Sequence, residues 1–317
     1  MTDTQNEVFK TPVNKIRLFE HGAPGSQNLK LTRKYYTEDM PDGRVKHIVQ
    51  NITDPDIVPY IPDGIGNSTD RQRIPAVLII PGGAFRRLVY NFEGEDVAKW
   101  LNSMGIAAFV LECRLPSDEH DNAEDVPLID AMRAMRVIRG RAQEFGIDEA
   151  KIGVMGFSAG GFMAALLSTA YESDVYADYK YKDEYDKLSA RPDFAVCSYP
   201  VISIDDCIEA GKRYMSEEQV LERISDRKAK ILHKYNPDKL VRPDMPPVFI
   251  CETDDDRTTL SENSVGFYMA ARKAGVSAEL HIFRTGGHGY GCGDDFAQTG
   301  EWKVLFTKWI KSIGIIS

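Results

Sequence analysis

The stretch 151–170, KIGVMGFSAGGFMAALLSTA, constrains this chain more than any other. It begins as a short apolar run, 152–157, of the length of a buried strand. It turns at Gly156-Phe157-Ser158-Ala159-Gly160 and continues from Gly161 as an Ala-, Leu- and Met-rich segment that reads as a buried helix. The turn fits G-x-S-x-G, a nucleophile elbow. A serine at the tip of so sharp a strand-to-helix turn has a strained backbone, and side chains at the flanking glycines would collide with the neighbouring strand and helix. Its Oγ then projects above the sheet at a helix N-terminus, which favours negative charge. The alternative is a glycine-rich turn of a nucleotide-binding fold. The spacing is not G-x-G-x-x-G, and no Lys-Ser/Thr of a P-loop follows.

The remaining properties narrow the setting. A length of 317 residues suits one large α/β domain, and an apolar fraction of 43% allows a substantial core. The formal net charge of −9 argues against a nucleic-acid backbone or an anionic membrane surface as partner. The first fifteen residues are polar, without the apolar core of a signal peptide, and no stretch approaches the ~18 apolar residues of a membrane span. Cys113, Cys197, Cys207, Cys251 and Cys292 are odd in number and lack CxxC spacing. Together these features predict a cytoplasmic protein with reduced thiols. A homo-oligomer is compatible with the sequence.

Turn-rich residues 1–70 carry short strand-like runs at 16–19 and 44–52, read as an antiparallel edge leading into a sheet; His21 and His47 are expected at the surface. The run 74–80, IPAVLII, is a buried strand entering Pro81-Gly82-Gly83-Ala84-Phe85, either a plain tight turn or a loop whose backbone N–H groups face a ligand. Helical spacing follows at 93–103 and a strand at 106–111. Residues 127–145 read as a helix whose arginines, at 133, 136, 139 and 141, are expected on a solvated face. The tyrosine-rich segment 171–187 is either an aromatic carbohydrate platform or a surface excursion with packed tyrosine edges. Strands are expected at 193–199, 248–251 and 278–283, with helices at 260–274 and about 296–313. Residues 204–242 break the rhythm: charged, helical in pattern (217–230 especially) and strandless, they read as an insertion capping the site. The whole predicts one α/β domain with a mostly parallel central sheet and helices on both faces.

A serine hydroxyl needs a base within hydrogen-bond reach. Of six histidines, His288 alone lies in a glycine-flanked loop directly after a strand; His281 alternates along that strand and reads as structural, and His120 and His233 sit in polar segments. The imidazole needs a carboxylate on its other nitrogen. The run Asp254-Asp255-Asp256 follows the preceding strand, where such a group belongs. Three adjacent carboxylates could instead bind a metal, but no histidine or further acid is spaced to complete a site, so no metal and no cofactor are implied. The order Ser158, an Asp within 254–256, His288 is that of an α/β-hydrolase.

Most of the chain resembles the α/β-hydrolase esterases of the acetylxylan-esterase-like group, related to hormone-sensitive-lipase esterases and prolyl-oligopeptidase-type hydrolases. The resemblance is carried by LFEHGAPG at 18–25, PGGAF at 81–85, KIGVMGFSAGG at 151–161, RPDFAVCSYPVIS at 191–203, the acid loop with Glu262-Asn263-Ser264, and GGHGYG at 286–291. It implies an acid eight residues before Ser264, which is Asp256, with Asp255 the runner-up. Relatives often carry Val-Pro where this chain has Thr259-Leu260, and Pro81 stands in place of the usual histidine. The implied oxyanion donors are the backbone N–H of Gly83 or Ala84, plus that of Ala159. The implied activity is hydrolysis of a small-molecule ester with a short acyl group, most of all acetyl on xylo-oligosaccharides or other sugars. A general carboxylesterase, a small-peptide serine hydrolase and a non-catalytic small-molecule receptor are the competing readings.

Overall fold

The computed structural model describes residues 9, 13–65, 73–216, 218–220, 222, 230–293 and 298–317. Its strands, in chain order, are β1 (Ile16–Arg17), β2 (Lys34–Asp39), β3 (Val45–Gln50), β4 (Asp56–Tyr60), β5 (Ile74–Ile80), β6 (Leu88–Val89), β7 (Ala107–Glu112), β8 (Ile147–Phe157), β9 (Ala195–Ser198), β10 (Val248–Thr253) and β11 (Ala278–Phe283). Eight of them form one sheet in the order β1-β4-β7-β5-β8-β9-β10-β11. Pairing from β7 through β11 is parallel, whereas β1 and β4 are antiparallel at one edge. β5, β7, β9 and β10 are buried almost throughout, because helices cover both faces of a parallel sheet; this is why they read as unbroken apolar runs.

The order places the site. The chain leaves β5 towards β7 on one side and later returns to β8 on the other. The loops leaving β5 and β8 therefore open side by side at the C-terminal edge, where Ile80 pairs with Gly156. Those loops are the Gly-Gly turn and the serine elbow.

The antiparallel edge is more elaborate than expected. β2, β3 and β6 form a separate three-stranded antiparallel sheet, in which β6, just beyond the Gly-Gly turn, pairs with β3. His47, expected at the surface, is half-buried there and stacks on Phe9 at 4.5 Å.

The arginine face of the helix Val126–Gly140 departs from expectation. It is covered, not solvated. Arg133 is 4% exposed, bonds the Leu18 carbonyl and pairs with Asp183 and Asp186; Arg136 bonds the Leu188 carbonyl and Tyr176; Arg139 reaches Asp193. The tyrosine-rich segment lies across this face as the packed excursion. Tyr176 and Tyr179 turn ring edges to Phe19, while Tyr181 is exposed with the Lys180 ammonium and the His21 ring close to it.

Within the described residues, 204–242 contains the helices Ile204–Tyr214 and Lys230–Lys234 and the short turn Pro237–Lys239, but no strand. Most of the pattern at 217–230 lies outside the described residues.

Just past the C-terminal end of β7, Arg114 forms an ion pair with Asp130, both side chains fully buried. Asp130 also accepts the Arg114 backbone N–H at 2.8 Å, and Arg114 donates to Ser26 Oγ at 2.8 Å and to the Pro24 carbonyl. Asp130→Ala strands that guanidinium in the core. The expected loss is about 3–5 kcal/mol, seen as a lowered urea midpoint at unchanged m-value; an unchanged midpoint contradicts this account.

Candidate active site

The elbow has the geometry its glycines predict. Ser158 stands at φ +54°, ψ −119°, between β8 and the helix Ala159–Ala170. A Cβ on Gly160 would lie 1.9 Å from the Ile80 carbonyl oxygen, and one on Gly156 would lie 1.9 Å from that of Gly160. Neither position tolerates a side chain, so the strand, the turn and the helix close on bare backbone. Ser158 N–H donates to the Ser198 carbonyl at 3.0 Å, tying the strained residue to β9.

His288 Nε2 lies 2.8 Å from Ser158 Oγ, and His288 Nδ1 lies 2.6 Å from Asp256 Oδ2. The sequence left 254–256 open by one register. The structure separates the three side chains. Asp254 is exposed, close to Ser261 Oγ. Asp255 Oδ1 accepts the N–H groups of Gly286 and Gly287 at 2.9 and 2.8 Å, clamping the histidine loop by its backbone. Asp256 is 2% exposed and faces the imidazole. Its Oδ1 accepts the N–H groups of Thr258 and Thr259 at 2.7 and 3.0 Å, and its Oδ2 accepts the Thr259 hydroxyl at 2.9 Å. Burial pushes the Asp256 carboxyl up, but the His288 contact and these backbone donors outweigh it and hold the group below the usual carboxylate range. The residue pair that departs from the family pattern, Thr259-Leu260, thus supplies a hydroxyl that orients the acid.

The Gly-Gly turn carries consecutive left-handed residues: Gly83 at φ +138°, Ala84 at +57° and Phe85 at +59°. Only glycine fits the first, where a Cβ would lie 2.1 Å from the Arg87 carbonyl oxygen. No hydrogen bond among the described residues engages the N–H of Gly83 or Ala84, and the Ala159 N–H stands at the open N-terminus of its helix. The N–H of Gly82 is taken: it donates to Glu93 Oε2 at 2.8 Å.

Glu93 was legible in sequence only as the start of a helix. It lies in a π-helical turn, Asn91–Glu95, ahead of the helix Asp96–Ser103, and is 5% exposed. Its Oε1 accepts the hydroxyl of Tyr199 at 2.9 Å. Tyr199, fully buried behind the imidazole, was likewise readable only as the end of an apolar strand. A carboxylate just past a Gly-Gly turn was the available signal.

A profile of the BD-FAE family matches residues 65–270, more than half of the chain. The chain belongs to the BD-FAE family. An acetylxylan esterase of Xylanibacter ruminicola is 31% identical to it over 240 residues, 75% of this chain and 45% of that protein. Endo-1,4-beta-xylanase B of Butyrivibrio fibrisolvens is 31% identical over 227 residues, 71% of this chain and 34% of that protein. The BD-FAE chain thus spans less than half the length of the curated relatives it matches. Among solved structures, an acetyl ester-xyloside bifunctional hydrolase from Caldicellulosiruptor lactoaceticus aligns over 96% of this chain and 97% of its own, with 34% identity and a TM-score of 0.69. The carboxylesterase Cest-2923 of Lactobacillus plantarum, 20% identical with a TM-score of 0.67 over 90% of this chain and 99% of its own, shows the same α/β-hydrolase fold.

The two neighbouring aspartates of this BD-FAE chain should separate in function. Asp256→Asn leaves the imidazole with a donor where it needs an acceptor, and kcat on p-nitrophenyl acetate is expected to fall about 10⁴-fold. Asp255→Asn keeps one acceptor for the Gly286 and Gly287 N–H groups, and its loss should stay within about tenfold. Equal losses, or the reverse order, would show that the acid is wrongly placed.

Proposed function

We propose that the chain is a serine carboxylesterase that removes short acyl groups, chiefly acetyl, from xylo-oligosaccharides or similar sugars through an acyl-enzyme. The observation that carries this reading is the continuous line Ser158 Oγ, His288, Asp256, at 2.8 and 2.6 Å, beside N–H groups that bond nothing else among the described residues. His288 takes the hydroxyl proton as Ser158 Oγ attacks the ester carbonyl. The N–H of Ala159, with that of Gly83 or Ala84, receives the oxyanion; one such donor is worth about 10²–10³ in rate. His288 returns its proton to the departing alcohol, then activates the water that releases the acid. Asp256 keeps Nδ1 protonated and stabilises the imidazolium.

Two features support a short acyl group on a larger alcohol. Next to Gly82, Ala159 and Gly160 lies an apolar cavity of about 20 Å³, bounded by Phe85, Leu115 and Met163. That is room for a group the size of a water molecule or a methyl. Secondly, segment 204–242 is anchored on both sides of the elbow. Arg213 pairs with Glu262 at 2.9 Å beyond β10, and Lys234 and Tyr235 bind Asp125 at 2.6 and 2.5 Å beyond β7. We read it as the cap bounding the alcohol side. The relatives' names, an acetylxylan esterase and an acetyl ester-xyloside hydrolase, support the sugar ester. Five cysteines without a disulfide fit a reducing, cytoplasmic setting.

The test is turnover of p-nitrophenyl acetate, butyrate and octanoate beside acetylated xylo-oligosaccharides, with Ser158→Ala as blank. Activity confined to the acetyl ester, acetate released from the sugar and a silent, folded Ser158→Ala are expected. Preference for octanoate without sugar deacetylation makes this a general carboxylesterase. Unchanged turnover by Ser158→Ala removes the proposal. Met163→Ala should enlarge the cavity and raise butyrate turnover relative to acetate by several-fold.

A further inference from the structure

Behind the reacting groups, one buried side chain joins the two loops that must stay in register. The Gly-Gly turn follows β5 and the histidine loop follows β11, at distant positions in the sheet. Glu93 reaches both. Its Oε2 takes the Gly82 N–H at 2.8 Å, which sets the peptide plane entering the left-handed run at Gly83 and Ala84. Its Oε1 takes the Tyr199 hydroxyl at 2.9 Å. The same hydroxyl oxygen accepts the N–H of Gly291 at 3.1 Å, three residues past His288, and the Gly291 carbonyl accepts Trp302 Nε1–H at 3.1 Å. The Tyr199 ring stands edge-on to the imidazole, with centroids 5.0 Å apart. Gly82 is itself confined, since a Cβ there would meet Glu93 Oε2 at 2.7 Å and Ser158 Cβ at 2.9 Å. Glu93 is therefore within one residue's breadth of Ser158.

We propose that Glu93 is a positioning residue for the esterase reaction, locking the oxyanion turn to the histidine loop and placing a second negative charge behind the His288 imidazolium. The inference rests on the ester hydrolysis proposed above. The charged form must persist for the second role. Burial pushes the Glu93 carboxyl up, and the charge of His288 and the hydrogen bonds from Tyr199 and Gly82 oppose that rise without cancelling it; both Glu93 oxygens accept from donors, the arrangement a carboxylate takes. The other titratable groups facing it are Tyr199 and, farther off, Lys46 of β3, with Tyr290 and Cys251 behind Tyr199 and Asp256 beyond the imidazole. Glu95 and Asp96 follow it on its own turn. His288 is thus the cation that Glu93 has closest to hand in the reacting centre.

The sign of the effect follows. Removing a negative charge near an imidazolium makes that cation less favourable, so the imidazole releases its proton at lower pH. The experiment is the pH profile of kcat and KM for p-nitrophenyl acetate in the full chain, for wild type, Glu93→Gln, Glu93→Asp and Tyr199→Phe. Glu93→Gln is isosteric and still accepts the Gly82 N–H, but it is neutral and cannot accept the Tyr199 hydroxyl. Its kcat is expected to drop by up to about 10²-fold, with KM within about threefold and the acid limb of kcat/KM displaced to lower pH. Tyr199→Phe keeps the charge and breaks the link, so kcat should fall less and the acid limb should stay in place. Glu93→Asp keeps the charge on a shorter arm and should behave like Tyr199→Phe.

A Glu93→Gln enzyme with wild-type kcat overturns the positioning role, and one whose acid limb does not move overturns the electrostatic role. Should Glu93→Gln fail to fold by circular dichroism, wild-type kcat in both Glu93→Asp and Tyr199→Phe overturns the proposal by itself. An inactive wild type sinks the ester reading, whereas an active wild type with indifferent Glu93 variants sinks only this inference.

Discussion

Ser158 occupies a backbone conformation that a serine does not choose, and the surrounding chain leaves it no other. A non-glycine residue at positive φ costs on the order of 1–3 kcal/mol unless its surroundings impose it. Here the constraint comes from three directions. The Ser158 N–H is bonded to the Ser198 carbonyl in β9, its carbonyl accepts the Phe162 N–H of the following helix at 3.0 Å, and Gly160 is pressed against the end of β5. Relaxing the serine would require moving two strands of a buried parallel sheet. The strain is useful because the same geometry lifts Oγ clear of the sheet and opens the N-terminus of the helix Ala159–Ala170 next to the Gly-Gly turn. The position of Oγ and the open helix N-terminus therefore follow from one piece of packing, the meeting of β5 and β8.

The carboxylates around His288 show how local environment divides labour among chemically similar groups. Asp256 is surrounded by donors and stays ionised. Glu252, only four residues earlier, is also buried; burial, and next the charge of Asp256, push its carboxyl well above the usual range. It accepts the Thr253 N–H at 2.9 Å and lies 3.3 Å from Ser264 Oγ. Two acids in one buried neighbourhood are pushed apart, the Asp256 carboxyl down and the Glu252 carboxyl up. Asp255 stays in solvent and acts only through backbone N–H groups. None of these assignments follows from residue type. Each follows from the burial, the neighbouring charge and the donors that the fold brings together.

This explains what could be read in the sequence. The sheet was legible because strands buried on both faces leave apolar runs no amphipathic element would show, and the elbow because its glycine spacing fits G-x-S-x-G and not a nucleotide-binding turn. His288 was legible because it alone of the six histidines lies between glycines directly after a strand. The register of the acid was not, since a loop has no periodicity and Asp255 and Asp256 differ only in the direction their side chains leave the backbone. The arginines of the helix Val126–Gly140 were misread as solvated for a related reason. Their partners, Asp183, Asp186 and Asp193, lie some fifty positions onward in a segment whose path pattern alone does not reveal. Glu93 and Tyr199 were hidden by their neighbours: each sits at the end of an element whose other residues are explained by packing.

The family match ends at residue 270, and His288 lies beyond it. His288 is placed by strand pairing. β11 pairs with β10 in parallel register from Val248–Ala278 to Thr253–Phe283, so the loops leaving the two strands emerge at one level. That register sets Asp255 against Gly286 and Gly287, and the clamp in turn aims the next residue, His288, at Asp256 and Ser158. A one-residue slip of β11 would invert the faces of the strand and carry the imidazole out of reach of both. The position of His288 is thus tied to the pairing of two strands, and the pairing is held by a core that includes Phe249, Phe306 and Trp309. Packing in that core and reach at the catalytic edge are two ends of the same rigid element.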